Sequence, residues 1–142
     1  MAKNTLNQET RRQFMGKLTK ASLAAGVIPV VIKPAKKSEL KNNFIHHVYF
    51  WLKNKGNEVD KIKLIEGLTK LSKVKTIQQF NIGQPAATRR DVIDSSYAIS
   101  WFVLFKNDKD QASYQIDPIH LKFVEDYAHL WDKVTVYDTI DA

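Results

Sequence analysis

The chain has 142 residues, enough for one domain with a sizeable core, and carries a formal net charge of +7. Residues 1–36 hold seven basic residues and one acidic residue, so the remaining residues have a net charge of only +1. This near-neutral remainder lacks the basic surface typical of nucleic-acid binding, and we expect no nucleic-acid partner. The sequence has no cysteine, which excludes disulfides and thiolate metal sites.

Residues 1–36 have the pattern of an export signal. Arg11 and Arg12 precede a moderately apolar run, residues 18–32, as a charged n-region precedes an h-region. The adjacent arginines and the aromatic residue that follows soon after resemble the twin-arginine signal of bacteria. This resemblance implies the twin-arginine export machinery as a partner and a periplasmic or cell-envelope location.

The apolar run is too short and too interrupted to be a stable membrane span, because it contains Lys20 and Pro29. An amphipathic or disordered basic tail is the alternative interpretation of this segment. We therefore divide the chain into a signal segment with its linker, residues 1–36, and a folded domain, residues 37–142.

Four segments of the folded domain are predicted to be β-strands. Phe44 to Lys53 and Ser96 to Phe105 are rich in aromatic and β-branched residues and are apolar on both alternating faces. Thr76 to Ile82 and Lys133 to Ile140 are weaker strands. A polar connection that contains proline, residues 83–95, is long for a hairpin loop and is expected either to be mobile or to line an opening.

Helices are predicted between these strands. Glu58 to Lys73 is expected to be helical because its apolar residues recur at helical spacing. Residues 107–115 indicate a short helix or turn with Asp108 as its N-cap. Asp117 is expected to cap a longer helix that begins at Pro118, where proline costs least. The predicted inward stripe of the first helix is Val59, Ile62, Ile65, Leu68 and Leu71, widened by Leu64.

The resulting order, β-α-β-β-α-β, predicts an α+β protomer with one four-stranded antiparallel sheet and its helices on one face. Two helices can cover only one face of such a sheet. Tyr49, Trp51, Trp101 and Val103 are expected to make the other face apolar, and that much exposed apolar surface is typical of an interface or a ligand cavity. We therefore predict a homodimer in which the two sheets face each other.

His120 and Tyr114 are the best-placed candidates for acid–base chemistry. Helical phasing places His120 on the inward stripe of the last helix and points His129 outward. Burial and the positive end of the helix dipole are both expected to lower the pKa of His120 and favour the neutral imidazole. Tyr114 could then hold or polarise an oxygen. The alternative is a structural histidine bonded to a backbone carbonyl, with Tyr114 only packing.

Other patterns carry less chemistry. His46 and His47 are adjacent on a predicted strand, so they point to opposite faces and only one can share a cavity with His120. No histidine or carboxylate spacing predicts a metal site, and no motif indicates a cofactor. Arg89 and Arg90 could bind an anion over an opening, although a solvated pair in a loop is the simpler interpretation.

In the order and spacing of three motifs, the folded domain resembles the stress-responsive α/β-barrel domain family, often called Dabb, of the dimeric α+β barrel proteins. The motifs are the opening strand from His47 to Lys53, the strong middle strand, and Tyr114-x-x-Asp117-Pro118-x-His120. The resemblance implies a ferredoxin-like protomer that dimerises into a barrel with an apolar pocket.

The resemblance also implies site residues. A plant member of the family closes and aromatises a polyketide chain with a histidine base and a tyrosine, and these two positions match His120 and Tyr114. The same comparison places four further residues toward the pocket, namely His47, Tyr49, Trp51 and Trp101.

Two functions follow as hypotheses. The first is an exported homodimer that binds a small apolar or aromatic molecule in its barrel. The second is a small cofactor-independent cyclase or lyase in which His120 is the base and Tyr114 positions the oxygen. A cofactor-free or haem-using oxygenase is a related alternative, because such enzymes share this barrel class.

Overall fold

The computed structural model describes residues 39–142. The predicted export signal lies outside these residues and stays a prediction, as does the boundary between the signal segment and the folded domain. Within the described part of the chain, no helix combines the length and apolar character needed to cross a membrane.

The elements occur in the predicted order, with two helices between the third and fourth strands. The strands are β1 (Phe44–Leu52), β2 (Ile77–Gly83), β3 (Ile99–Phe105) and β4 (Trp131–Thr139), and the helices are α1 (Glu58–Leu71), α2 (Asp108–Gln115) and α3 (Pro118–Tyr127), with a 3₁₀ turn at Ala128–Leu130. The strands form one antiparallel sheet in the order β2-β3-β1-β4. This is the ferredoxin-like α+β fold that the sequence predicted.

The pleat of the sheet separates two faces with different surroundings. One face, which we call the helix side, packs against the helices and includes His46, Val48, Phe50 and Leu52 of β1. The other, which we call the open face, includes His47, Tyr49 and Trp51, all half-buried.

Trp101 and Val103 lie on the helix side, contrary to the expectation that they share the open face with Tyr49 and Trp51. The antiparallel register pairs Trp101 with Val48 and Val103 with His46, and directly paired residues point to the same face. Both side chains are at most 1% exposed in the core. The open face is therefore less apolar than the sequence suggested.

The helix α1 is rotated relative to the predicted stripe. Val59 and Ile62 are exposed, whereas Leu64 and Leu68 are completely buried. Gly67 explains this rotation, because a Cβ there would lie 2.9 Å from the Tyr127 ring of α3. The two helices approach each other along the face of α1 that carries this glycine, and that contact determines which residues point inward.

Side chains cap each helix at its N-terminus. Asp117 caps α3 as predicted, since its carboxylate accepts a hydrogen bond from the Ile119 amide. The cap of α2 is Asn107 and not Asp108, because the Asn107 side chain accepts from the Asp110 amide. These two caps fix the segment between α2 and α3 that carries Tyr114 and His120.

Candidate functional site

The six predicted site residues lie on two different faces of the sheet. Tyr114, His120 and Trp101 are on the helix side, where the helices α2 and α3 meet the sheet. His47, Tyr49 and Trp51 are on the open face. Each face of a protomer therefore brings together only three of the six residues. Trp101 lies with Tyr114 and His120 on the helix side.

Tyr114 and Trp101 are the most buried of these candidates. The Tyr114 side chain is 1% exposed, and its hydroxyl oxygen accepts a hydrogen bond from the Trp101 indole N–H at 3.2 Å. Burial raises the pKa of Tyr114 strongly, and the indole bond opposes this only in part. The phenol therefore stays protonated across the physiological range and acts as a neutral hydrogen-bonding group.

His120 is half-buried at the first turn of α3. Its Nδ1 lies 3.1 Å from the Gln115 carbonyl oxygen, and because a carbonyl can only accept, Nδ1 carries the proton. Its Nε2 is therefore the nitrogen with a free lone pair. Burial is the main cause that lowers the pKa of His120, with a smaller contribution from His46, while the Gln115 carbonyl and Asp117 act in the opposite direction.

His46 and Asp138 form a pair that the sequence interpretation missed. His46 is 5% exposed on the helix side, and its Nδ1 lies 2.6 Å from an Asp138 carboxylate oxygen. The two residues are direct cross-strand partners in β1 and β4. Only one of His46 and His47 could share a cavity with His120, and the pleat points His46 toward α2 and α3. His47, which the resemblance places toward the pocket, lies on the opposite face.

The side chains of His46, Tyr114 and His120 form one cluster. The Tyr114 ring centroid is 4.6 Å from that of His120 and 5.8 Å from that of His46. A carboxylate or carbonyl bonded to one nitrogen of an imidazole orients the ring and leaves the other nitrogen for chemistry. The cluster thus combines two oriented imidazoles with a neutral phenol, a set suited to moving a proton beside a polarised oxygen.

The open face holds an aromatic cluster of its own. The Tyr49 ring packs edge-on against the rings of Tyr97 and Tyr137, and its hydroxyl lies 3.1 Å from His47 Nδ1. Burial, followed by the proximity of the other two tyrosines, raises the pKa of Tyr49. A cavity of about 280 Å³ is lined by Tyr49, Trp51, Asp94, Tyr97 and Tyr137.

Trp51 links the open face to the connection between β2 and β3. Its indole N–H donates to Ser96 Oγ at 2.9 Å, and the Lys133 ammonium lies 4.0 Å from its ring centroid. Four residues of this connection line a second cavity of about 260 Å³ with Trp51, namely Pro85, Ser96, Tyr97 and Ala98. Arg89 and Arg90, in the same connection, are exposed.

Within residues 39–142, no three histidine or carboxylate side chains are grouped so that they could hold a metal ion.

A family model described as the stress-responsive A/B barrel domain, Dabb, matches residues 45–141. The chain belongs to this family. The match covers every strand and helix of the fold except the first residue of β1, so the Dabb domain and the folded unit coincide. No curated protein matches the chain.

Solved structures support the Dabb fold. A ferredoxin-like Dabb protein of Mesorhizobium loti has a TM-score of 0.59 at 19% identity, covering 70% of this chain and 97% of that one. A dimeric ferredoxin-like protein of unknown function from Bacteroides fragilis has a TM-score of 0.55 at 16% identity, with coverages of 72% and 100%. A hydroxynitrile lyase from Passiflora edulis has a TM-score of 0.62 at 13% identity, with coverages of 72% and 96%. At these identities the likeness concerns the fold alone.

The sequence does contain a signal for the His46–Asp138 pair of this Dabb domain, but the signal can be interpreted only when the order of the strands is known. His46 alternates with Val48 and Phe50 on the strand face that the helices cover. A histidine among core residues requires a hydrogen-bonding partner, and Asp138 is the residue that β4 places opposite it. His46 and Asp138 are 92 positions apart in the sequence. Their pairing can be predicted only when the antiparallel register of β1 and β4 is known.

We predict that Asp138→Ala lowers the free energy of unfolding at pH 7 by about 1–2 kcal/mol, because it leaves the buried His46 without its acceptor. Asp132→Ala is the matched control, since Asp132 lies on the same strand and is exposed. It should change stability by less than about 0.5 kcal/mol. Urea unfolding of both variants measures the difference, and equal stabilities would contradict a structural role for the pair.

Proposed function

We propose that this Dabb domain is an acid–base catalyst that moves a proton on a small carbonyl compound. The observation that carries the proposal is the cluster of His120, Tyr114 and the His46–Asp138 pair. In it, both imidazoles are held by acceptors at Nδ1, and a buried neutral phenol lies beside them.

In the proposed step, His120 Nε2 takes a proton from the carbon next to a carbonyl group. The electron pair of the broken C–H bond moves into the carbonyl, which becomes an enolate. The Tyr114 hydroxyl donates a hydrogen bond to the enolate oxygen. The imidazolium then returns its proton to carbon, or to a leaving group, so the catalyst is restored.

His46 is assigned a second position in this cluster. The Asp138 carboxylate lies against its Nδ1 and orients its ring, as carboxylates do for catalytic histidines. Two histidines on either side of a tyrosine permit a proton to arrive on one side and leave on the other. The fold of the Passiflora edulis hydroxynitrile lyase is compatible with such chemistry, since cleaving a cyanohydrin also requires a base and a group that holds the oxygen.

The helix side of β4 is the proposed route by which a ligand reaches the cluster. Val134 and Val136 are on the helix side with Asp138, and each is 45% exposed. The helices therefore leave the helix side of β4 partly uncovered next to the His46–Asp138 pair. Apolar surface beside the acid–base groups favours a small molecule with an aromatic or aliphatic part.

The proposal is tested by following the exchange of the benzylic protons of phenylacetone for deuterium in heavy water by NMR, with mandelonitrile cleavage as a second probe. His120→Gln should slow turnover about 100-fold or more, because it removes the base. Tyr114→Phe should slow it about 100-fold, because it removes the donor to the oxyanion. His129→Gln is the control, since His129 is an exposed histidine that follows α3.

The pH profile gives an independent check on His120. Because the pKa of His120 is lowered from 6.5, its neutral form persists to lower pH. Turnover should be constant above pH 6.5 and fall only as the pH drops through a midpoint below that value. Turnover by His120→Gln and Tyr114→Phe equal to that of the wild type would refute the catalytic proposal.

A second candidate function, favoured by the aromatic cavity on the open face, is binding of a small apolar or aromatic molecule inside a homodimeric barrel. Tyr49, Trp51, Tyr97 and Tyr137 present ring surface there, and a second copy packed sheet to sheet would enclose it. The solved relatives include proteins described as dimeric. The two candidates use opposite faces of the sheet, so one protomer can serve both.

The dimer is tested by the mass of the chain from Ser38 onward, one compact unit, in dilute solution. We expect the wild type to sediment as a dimer. Phe102→Lys should give a monomer, because it places a charge on the half-buried centre of the open face. Ile62→Lys makes the same change at a residue that is 63% exposed on α1, and it should remain a dimer. A monomeric wild type would rule out the proposed assembly.

Export by the twin-arginine route completes the proposal and rests on residues 1–36 of the sequence. Replacing Arg11 and Arg12 by lysine keeps the charge but removes the paired arginines. We expect this double variant to accumulate in the cytoplasm of the producing bacterium. Unchanged localisation by cell fractionation would contradict the twin-arginine assignment.

A further inference from the structure

The contact between Trp101 and Tyr114 has a direction. An indole N–H can only donate, so the Tyr114 oxygen must be the acceptor of the 3.2 Å bond. The hydroxyl proton of Tyr114 is not used in this bond. Among residues 39–142 the hydroxyl has no other hydrogen-bond partner, so within this part of the chain the proton is left for a bound acceptor.

The surroundings of Trp101 hold its indole in place. Trp101 is 1% exposed, lies beside Val48 in the register of the sheet, and packs against the Phe80 ring at 5.4 Å. A ring fixed on the rigid strand β3 presents its N–H in one direction. Tyr114 comes from α2, which contacts both β1 and β3, so the bond joins a helix to the sheet across the candidate site.

We propose that Trp101 is a positioning residue that holds Tyr114 as a hydrogen-bond donor and thereby selects ligands that present an acceptor oxygen to the phenol. This inference rests on the proposed function, because it assigns the ligand chemistry of the same cluster. A carbonyl, carboxylate or enolate oxygen meets the requirement, whereas a ligand that offers only a donor, such as an ammonium group, leaves the phenol proton unmatched.

The same geometry divides the roles within the cluster. Because the phenol proton is kept and takes no part in the Trp101 bond, Tyr114 supplies a hydrogen bond and does not act as the base. The base must then be an imidazole, whose Nε2 is free in His120. Trp101 reaches the ligand only through Tyr114.

The test uses the phenylacetone exchange assay with Trp101→Phe, which removes the indole N–H and keeps an aromatic ring. We expect kcat to fall about tenfold, with a small change in KM, because the phenol is no longer fixed. Trp131→Phe is the matched control, because it makes the same replacement at a half-buried tryptophan that packs against Phe50 and Phe123. It should leave kcat within about twofold.

The double variant separates positioning from packing. In a Tyr114→Phe background there is no hydroxyl to position, so Trp101→Phe should lower kcat by less than about twofold further. The same tenfold loss in both backgrounds would show that Trp101 acts by packing and would overturn the inference. No loss in the wild-type background would overturn it as well. If Tyr114→Phe itself has no effect, the proposed function fails first.

NMR provides a measurement that does not depend on turnover or on the folding of Trp101→Phe. The Trp101 indole N–H resonance should shift in folded Tyr114→Phe, and the resonances of Trp51 and Trp131 should not. A Trp101 resonance unchanged by Tyr114→Phe would show that the bond is absent in solution and would refute the proposal.

Discussion

The alternation of β1 between two differently covered faces is the constraint on which the remaining structure depends. The helices cover one face, so each second residue of the strand is placed in the core and the residues between them are left outside. His46 and His47 are neighbours in sequence but belong to different environments for this reason. A shift of register by one residue would exchange them and would move Val48 and Phe50 out of the core.

Burying His46 makes the strand β4 part of the site. A buried imidazole without a partner costs free energy comparable to a lost hydrogen bond. Asp138, on the neighbouring strand β4, provides that partner. Asp138 is itself only partly buried, so the pair joins the core to the partly open edge at β4. The His46–Asp138 contact thus gives a buried imidazole its hydrogen-bond partner and also orients that imidazole for the proposed proton transfer.

Tyr114 joins the two histidines and the sheet. Its ring lies beside those of His46 and His120, and its oxygen receives the Trp101 N–H. These contacts come from β1, β3 and α3, so three elements besides its own helix contribute to the surroundings of one phenol. On the opposite face, Tyr49 packs against Tyr97 and Tyr137, and its hydroxyl lies 3.1 Å from His47 Nδ1. This aromatic surface is suited to binding or assembly.

The sequence by itself determined the order of the elements, the cap at Asp117, the outward orientation of His129 and the pairing of Tyr114 with His120, because these depend on local spacing, helical phase and a short motif. Tertiary structure decided the rest. Strand register moved Trp101 to the helix side and joined His46 to Asp138, and contact with Tyr127 at Gly67 set the rotation of α1. Period-two alternation tells which residues share a face of a strand, but only packing decides which face the helices cover.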